Sequence, residues 1–421
     1  MIPLAWDEVA ALELGELVGS GELTRVVADS RDAGAGDLFV ALNSGVRYVD
    51  EARGHGAATL VPDDQEAALA ALASLVRSKS SANVVAVVGS AGKTTTKDIL
   101  AALCAPQVPT IWAEKSLNNE IGLPLTVCRL EPETRVLVAE MGMRGLGQVA
   151  ALCEIARPTV VVVPHVGAEH LELLGTVERV AEANAEAISA LPHGGVAVVP
   201  AASPLDRYLV RDDITLRRFD ATQIDQDDGV TRFTVDGNVV ELELPFTQRH
   251  LAANTLAALH AYDALGLPLD HAADGVGDIV LSPWRGEETA LPGGGFVVND
   301  AYNANPDSMR AALEHLAERA GNRRKVAILG EMAELGETSG GYHREIGVLA
   351  AELGVAVIGV GEASNAYEPI AWAADAAGAV AEARSVVRPG DAVLVKASRA
   401  VGLEGIADEI TNFARAWSLS S

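Results

Sequence analysis

Hydrophobic positions along the chain follow two rhythms. Residues 65–78, QEAALAALASLVRS, carry apolar side chains at helical spacing, and so do residues 249–267, RHLAANTLAALHAYDALGL. Other runs are continuous and β-branched: VVAVV (84–88), RVLVAE (135–140) and PTVVVVPHVG (158–167). Unbroken runs of this kind predict strands buried on both faces, and the segments between them are long enough for helices. The expected centre is therefore a mostly parallel sheet covered on both faces. Three more such strands, KVAILGEM, VAVIGVG and DAVLVKAS, lie between residues 325 and 398 with helical stretches between them. They predict a second, smaller α/β domain, opened by the unit FVVNDAYNANPDSMRAALEHLAE (296–318).

The first 60 or so residues read as short strands and a helix, with RVVADSRD and GDLFVAL extended. Residues 207–247 differ from their surroundings. TRFTVDGNVVELELPF alternates around an Asp-Gly turn and predicts a hairpin insertion. The polar break SKSSAN (78–83) and the turn LPGGG (291–295) are candidate boundaries. They divide the chain into 1–80, 81–290 and 291–421, in keeping with roughly 150 residues per domain.

Charge narrows the function. Lys plus Arg number 32 against 58 Asp plus Glu, a formal net charge of −26. A general nucleic-acid binder gains affinity by neutralising backbone phosphates, so that class is excluded. Any phosphate site must be local, built from backbone N–H groups and a few cations. Aromatic residues are only 4%, so the core must rely on Ala, Val and Leu. The uncharged stretch 187–205 holds three prolines and two adjacent glycines and is no membrane span. The N-terminus meets acids early and lacks a basic region before an apolar one, so no signal peptide is expected. Cys104, Cys128 and Cys153 are widely spaced without a CxxC pair, which fits buried thiols in a reduced cytoplasm.

The strongest chemical signal is Gly89-Ser90-Ala91-Gly92-Lys93-Thr94-Thr95, which follows a strand run and opens a helical pattern. That context suits a phosphate loop. Glycines let the backbone wrap an anion, Lys93 would neutralise terminal phosphates and the Thr94 hydroxyl would reach Mg²⁺. Val87 stands where the longer pattern has its first glycine, so the loop is the short GxxGKT form. An ATP or GTP site follows; the reaction does not.

GSAGKTTTKD, SLNNEIGLPLT (116–126) and AEMGMRGLG (139–147) resemble the Mur ligases. NDAYNANPDSM (299–309), ILGEMAELG (328–336) and VLVKASRAVGLE (393–404) resemble the branch that adds D-alanyl-D-alanine to UDP-N-acetylmuramoyl-tripeptide. The resemblance runs over nearly the whole chain, and the YNANP block discriminates best among ligases for other amino acids. It implies three α/β domains: a small nucleotide-sugar domain, a central P-loop parallel sheet and a C-terminal Rossmann-like domain. It also implies the chemistry. ATP phosphorylates a carboxylate, the dipeptide amine attacks the acyl phosphate, and ADP and phosphate leave. ATP and Mg²⁺ are the expected cofactors, and a cytoplasmic monomer without nucleic-acid partner or membrane insertion is expected.

Residue roles follow from the same resemblance. Glu140 would bind Mg²⁺ and His170 would lie near a second metal. Asn254 would contact adenine, Arg285 the γ-phosphate and Asp300 the ribose. Asn303 and Asn305 would shape the active-site face, while Lys396, Ser398 and Arg399 would meet the dipeptide. Ser30 and Arg31 would bind the uridine nucleotide, and Asn118 and Asn119 the nucleotide-sugar end. Taken alone, a strand-end glutamate, a lone histidine or a polar turn is more often structural.

Departures matter as much. Where the family has a carbamylated lysine in Ala-Lys-Gly-Glu, this chain has Ala183-Asn184-Ala185-Glu186. Asn184 has no amine to take up carbon dioxide. Either Glu182 or Glu186 supplies the missing oxygens, or the second metal binds more weakly, or the chain no longer catalyses the reaction. His165 replaces an asparagine, Leu251 replaces the first Asn of HNxxN, and RYVDEARGHG lacks the usual Asp-Gly-His continuation. Two other readings stay open: a related amide ligase with a different substrate pair, and a nucleotide-binding homologue without activity.

Overall fold

The β-branched runs become strands and the 3.6-residue patterns become helices in a computed structural model, which describes residues 1–114, 117–227 and 229–419. Two compact units emerge. The first comprises Met1–Pro164, Glu182–Thr247 and Ala252–Val280; the second comprises His165–Ala181, Gln248–Leu251 and Leu281–Ser421.

The first unit opens with a four-stranded sheet in the order Gly15–Val18, Ala58–Pro62, Asp37–Val40, Arg25–Val27. Only its first pairing is antiparallel. Phe39, Ala41, Val49, Ala52 and Ala57 form its small core. The helix Gln65–Ser78 follows over the residues its periodicity predicts, with the Asp64 side chain accepting from Ala67 N–H as N-cap. Its buried Arg77 donates to the carbonyl of Ala156 at 2.7 Å, and Ile2 N–H donates to the carbonyl of Leu130. These ties span the expected 80/81 boundary.

The central sheet has six parallel strands in the order Thr215–Phe219, Val196–Pro200, Val160–Val162, Asn83–Val87, Val136–Glu140, Thr110–Trp112. The chain leaves Asn83–Val87 toward one edge and later returns to build on its other side. The carboxyl end of that strand is thus the switch point at which open α/β sheets bind ligands. The expected hairpin is present but shorter than 207–247. Thr215–Phe219 joins the parallel sheet, and Ile224–Asp227, Val230–Val235 and Asn238–Leu242 form a separate antiparallel sheet. Its turn carries Asp236 and Gly237 at φ 46° and 84°, as a two-residue hairpin turn requires.

The second unit holds a six-stranded sheet in the order Glu287–Leu291, Gly295–Asn299, Ala392–Lys396, Lys325–Leu329, Val355–Val360, Ala371–Ala373. All pairings but the first are parallel. LPGGG links the first two strands of this sheet, so the sheet starts ahead of the expected 290/291 boundary. Residues 165–181 also join this unit, because His165 pairs with Asp307 and Glu172 N–H donates to the carbonyl of Glu334.

The three cysteines are buried and free, and burial pushes each thiol up to about 12. No described helix is long and apolar enough to cross a membrane.

Candidate active site

In the first unit the site is built at the carboxyl end of the central strands. Gly89 lies at φ 128° and Gly92 at φ 80°, so the loop bends where only glycine is unstrained. Gly92 is the N-cap of the helix Lys93–Cys104, whose first N–H groups face the loop. A Cβ on Gly92 would stand 2.5 Å from Asn254 Oδ1. The asparagine expected at adenine therefore lies against the phosphate loop. Lys93 Nζ donates to the carbonyl of Gly89, curling over the loop it would serve. Ser90, Thr94 and Thr95 are buried, and Ala91 is half-buried beside them.

Glu140 pairs in register with Val87, so it ends its strand beside the start of the loop. It is 1% exposed. Its Oε1 accepts from Asn118 Nδ2 at 2.8 Å, while its buried Oε2 has no hydrogen-bond partner. An ionised carboxylate oxygen left so is costly without a cation. Glu140 Oε2 and the Thr94 hydroxyl are hard oxygen donors, as Mg²⁺ prefers. Among the described residues no group of three or more His, Cys, Asp or Glu could hold a metal.

The position expected to carry a carbamate does not fit in the same way. Asn184 is buried in the helix Val177–Ser189. Both oxygens of Glu186 accept backbone N–H groups, from Gly147 and Ala150, at the start of the helix Gln148–Ala156. Glu182 is exposed and lines, with Glu186, Cys153 and Tyr208, an outward pocket of about 880 Å³. Helical spacing puts 182 and 186 on one face and 184 on another. Neither glutamate supplies the oxygens missing at Asn184, which corrects the first of the three expectations for this position.

In the second unit, polar residues gather at the carboxyl ends of the parallel strands. Asp300 follows one strand and Lys396 ends its neighbour. Lys396 is 2% exposed; its Nζ reaches Asp300 Oδ2 at 2.5 Å and the carbonyl of Asn303 at 3.0 Å. Ser398 Oγ accepts from Ala333 N–H at 2.8 Å and donates to the carbonyl of Ala304. Asn305 is the N-cap of the helix Pro306–Ala320, accepting from Ser308 N–H at 2.9 Å. These three residues fasten loops together and do not face outward to a substrate. Asn303 is exposed. Arg285 lies over the Tyr302 ring at 4.0 Å, and exposed Arg399 over Trp284 at 4.4 Å. His250, half-buried beside Asp300 and Lys396, is held down to about 4, chiefly by desolvation.

His170 lies at φ 52° as the N-cap of the turn Leu171–Leu174. Its Nδ1 pairs with Glu334 Oε2, and its Nε2 is 3.9 Å from Glu169 Oε1. Gly167 admits no side chain, because a Cβ there would meet the Asp307 carboxylate. Asp307 is held below the usual carboxylate range, first by its hydrogen bond with His165.

Near the N-terminus, Ser30 is buried and donates to Glu51 Oε2 at 2.8 Å. Arg31 is exposed and paired with Asp29, whose carboxyl it lowers to about 2. Asn119 Oδ1 accepts from Gly122 N–H at 2.9 Å, at the start of the short helix Gly122–Val127. Ser116, first residue of the SLNNEIGLPLT block, lies outside the described residues. Two contributors escaped the sequence reading: Asn118 as the residue orienting Glu140, and Glu334 as the partner of His170. Both depend on contacts between distant segments, and only the surrounding blocks marked them.

Residues 87–262 match the Mur ligase middle domain, and 285–399 match the Mur ligase glutamate ligase domain. UDP-N-acetylmuramoyl-tripeptide–D-alanyl-D-alanine ligase from Mycobacterium tuberculosis H37Rv is 36% identical over 404 residues, covering 85% of this chain and 78% of the relative. The same ligase from Escherichia coli K12 is 32% identical, covering 96% and 98%. Among solved structures, MurF from Acinetobacter baumannii matches with TM-score 0.85 at 25% identity, covering 97% and 99%. MurF from Thermotoga maritima in complex with ADP matches with TM-score 0.82 at 28% identity, covering 93% and 98%.

Proposed function

The chain belongs to the Mur ligases, among the UDP-N-acetylmuramoyl-tripeptide–D-alanyl-D-alanine ligases, and from that premise we infer that it forms the bond between this tripeptide and D-alanyl-D-alanine in peptidoglycan precursor synthesis. It is an ATP-dependent, ADP-forming ligase. The observation that carries the reading is the short GSAGKTT loop at the sheet's switch point beside buried Glu140.

The reaction balances in two steps. A tripeptide carboxylate oxygen attacks the γ-phosphorus, the bond to the β–γ bridging oxygen breaks, and ADP leaves. The dipeptide amine then attacks the acyl carbon, phosphate leaves with the C–O bonding pair, and the nitrogen loses a proton. The protein's part is positioning and charge neutralisation. Backbone N–H groups of Gly89 to Thr95 cradle the phosphates, and Lys93 reaches their terminal oxygens. Thr94 and Glu140 would hold Mg²⁺, which supplies Lewis-acid stabilisation of phosphoryl charge. Asn254 takes the adenine edge, able to donate and accept at once. Asp300 takes the ribose, and Arg285 the γ-phosphate. Lys396, Ser398 and Asn305 act by fixing the loops on which Asp300 and Asn303 lie. Ser30, Arg31 and Asn119 remain the nucleotide-sugar candidates; of these, exposed Arg31 has the charge to meet a diphosphate, whereas Asn118 serves instead to orient Glu140. We place the enzyme in the cytoplasm as a monomer acting on small molecules.

The test is phosphate release from ATP and Mg²⁺ with UDP-N-acetylmuramoyl-tripeptide, with and without D-Ala-D-Ala, in the wild type and Asn184→Lys. Release that needs both substrates, with a product heavier by one dipeptide, is expected of the wild type. Turnover only in Asn184→Lys would mean a lapsed second-metal site. Silence in both would favour another substrate pair or a nucleotide-binding protein without activity.

A further inference from the structure

Arg285 is held by the backbone on both sides of it. Trp284 and Gly286 lie in the left-handed region, at φ 61° and 77°. For a bulky tryptophan such backbone is strained and persists where the surroundings over-determine it. Here they do. Tyr302 N–H donates to the carbonyl of Trp284 at 3.2 Å, and Gly286 N–H donates to the carbonyl of Asn299 at 3.0 Å. Gln248 Nε2 donates to the carbonyl of Gly286 at 3.2 Å. Residues 284–286 are thus fastened to the end of the strand Gly295–Asn299 and to the loop that follows it. That loop brings the half-buried Tyr302 ring to the arginine, with the Arg285 guanidinium 4.0 Å from the ring centroid.

The same ring meets a second cation. The guanidinium of Arg399 is 6.0 Å from the Tyr302 centroid and 4.4 Å from that of Trp284, and it pairs with Glu404 at 3.0 Å. An aromatic face carries the negative part of the ring quadrupole and attracts a cation within about 6 Å. A guanidinium is planar and stacks there, which fixes the plane of its N–H fork; an ammonium has no plane to fix. Arginine side chains otherwise lose much rotamer freedom when a ligand orders them, and a stack orders them beforehand. Two like charges near one another also repel, and a shared electron-rich face offsets part of that. We propose that Tyr302 is a positioning residue whose ring is one platform for two arginines, so that the guanidinium assigned to the γ-phosphate and the one assigned to the dipeptide are set by a single side chain. The tasks of the two arginines rest on the ligase reading; the stack does not. The tyrosine of YNANP thereby has a role separate from the capping role of Asn305 in the same block.

The stack and its consequence are read separately. In full-length protein carrying isotope-labelled arginine, with Arg285 assigned by Arg285→Lys, ring currents should shift the Arg285 side-chain protons upfield of free arginine. Tyr302→Leu should abolish that shift, and Tyr302→Phe, which keeps the aromatic face, should restore it. In turnover, Tyr302→Leu should lower kcat and raise KM for D-Ala-D-Ala, each roughly 2–30-fold, with Tyr302→Phe returning both toward wild type. Arg285→Lys keeps the charge without the planar fork and should reproduce the loss in kcat. The decisive pattern is coupling. In an Arg285→Ala background Tyr302→Leu should cost no further kcat, and in an Arg399→Ala background no further KM. Arg285 protons at free-arginine positions in the wild type overturn the proposal, and so does a Tyr302→Leu effect that keeps its full size in either background. Shifted Arg285 protons in a wild type that releases no phosphate with both substrates present would sink the ligase reading and leave the platform standing.

Discussion

Gly92 lies so close to Asn254 that residue 92 is closed to a side chain. A methyl at residue 92 would be 2.5 Å from Asn254 Oδ1 on a backbone at φ 80°. Gly92→Ala should therefore abolish ADP binding by calorimetry while the fold survives. Asn118→Ala removes the donor to Glu140 Oε1 and should raise the Mg²⁺ requirement about 10–100-fold, with KM for the tripeptide nearly constant, contrary to a role at the nucleotide sugar. His250 sets a pH dependence. Burial lowers it from 6.5 to about 4, so between those values the unfolded chain binds the extra proton. Its contribution is full above that window and is lost as pH falls through it, at up to about 1.4 kcal/mol per pH unit. Denaturant midpoints in wild type and His250→Gln, recorded across the window, should differ in slope by this amount. The phosphate loop was legible because its chemistry is local. Lys396 and Ser398 were read as substrate-facing because a motif marks a loop without saying which of its side chains turn inward.

The helix Pro306–Ala320 shows what the strongest block encodes. In Asn305-Pro306-Asp307-Ser308 the asparagine caps, proline takes the first helical position, and an acid follows in the first turn. That start signal was present in the sequence inside the YNANP block, where Asn305 is buried at the cap and Asn303 is exposed. Asn305→Ala should cost about 1 kcal/mol in thermal or denaturant unfolding, with KM for ATP unaffected. Helix 65–78 and the Asp-Gly hairpin were equally readable, since each rests on short-range periodicity or turn chemistry. The sheet edge at Glu287–Leu291 was not. EETAL has no hydrophobic rhythm, and it becomes a strand only by pairing with Gly295–Asn299. Residues 165–181 likewise join the second unit through His165 and Glu334, partners that no local pattern announces.

A molecule of net charge −26 that binds anionic nucleotides depends on local N–H groups and a few cations against its own field. Added salt screens that field, with a Debye length near 10 Å at 0.1 M. KM for ATP, measured at fixed free Mg²⁺, should therefore fall or stay level as salt rises from low values; a steep rise would mean that a cationic surface, not the loop, captures the nucleotide. The strands of the central and second-unit sheets were visible in the spacing of the hydrophobic runs, whereas the ties of Arg77 and Ile2 across residues 80 and 81 were not. The buried cysteines have one more consequence. With every native thiol raised to about 12 and shielded, alkylating reagents should leave the folded wild type unmodified by mass spectrometry. A single cysteine introduced at any exposed position then becomes the one fast-reacting handle. The natural sequence can take spectroscopic labels, one site at a time, without first being stripped of its own sulfur.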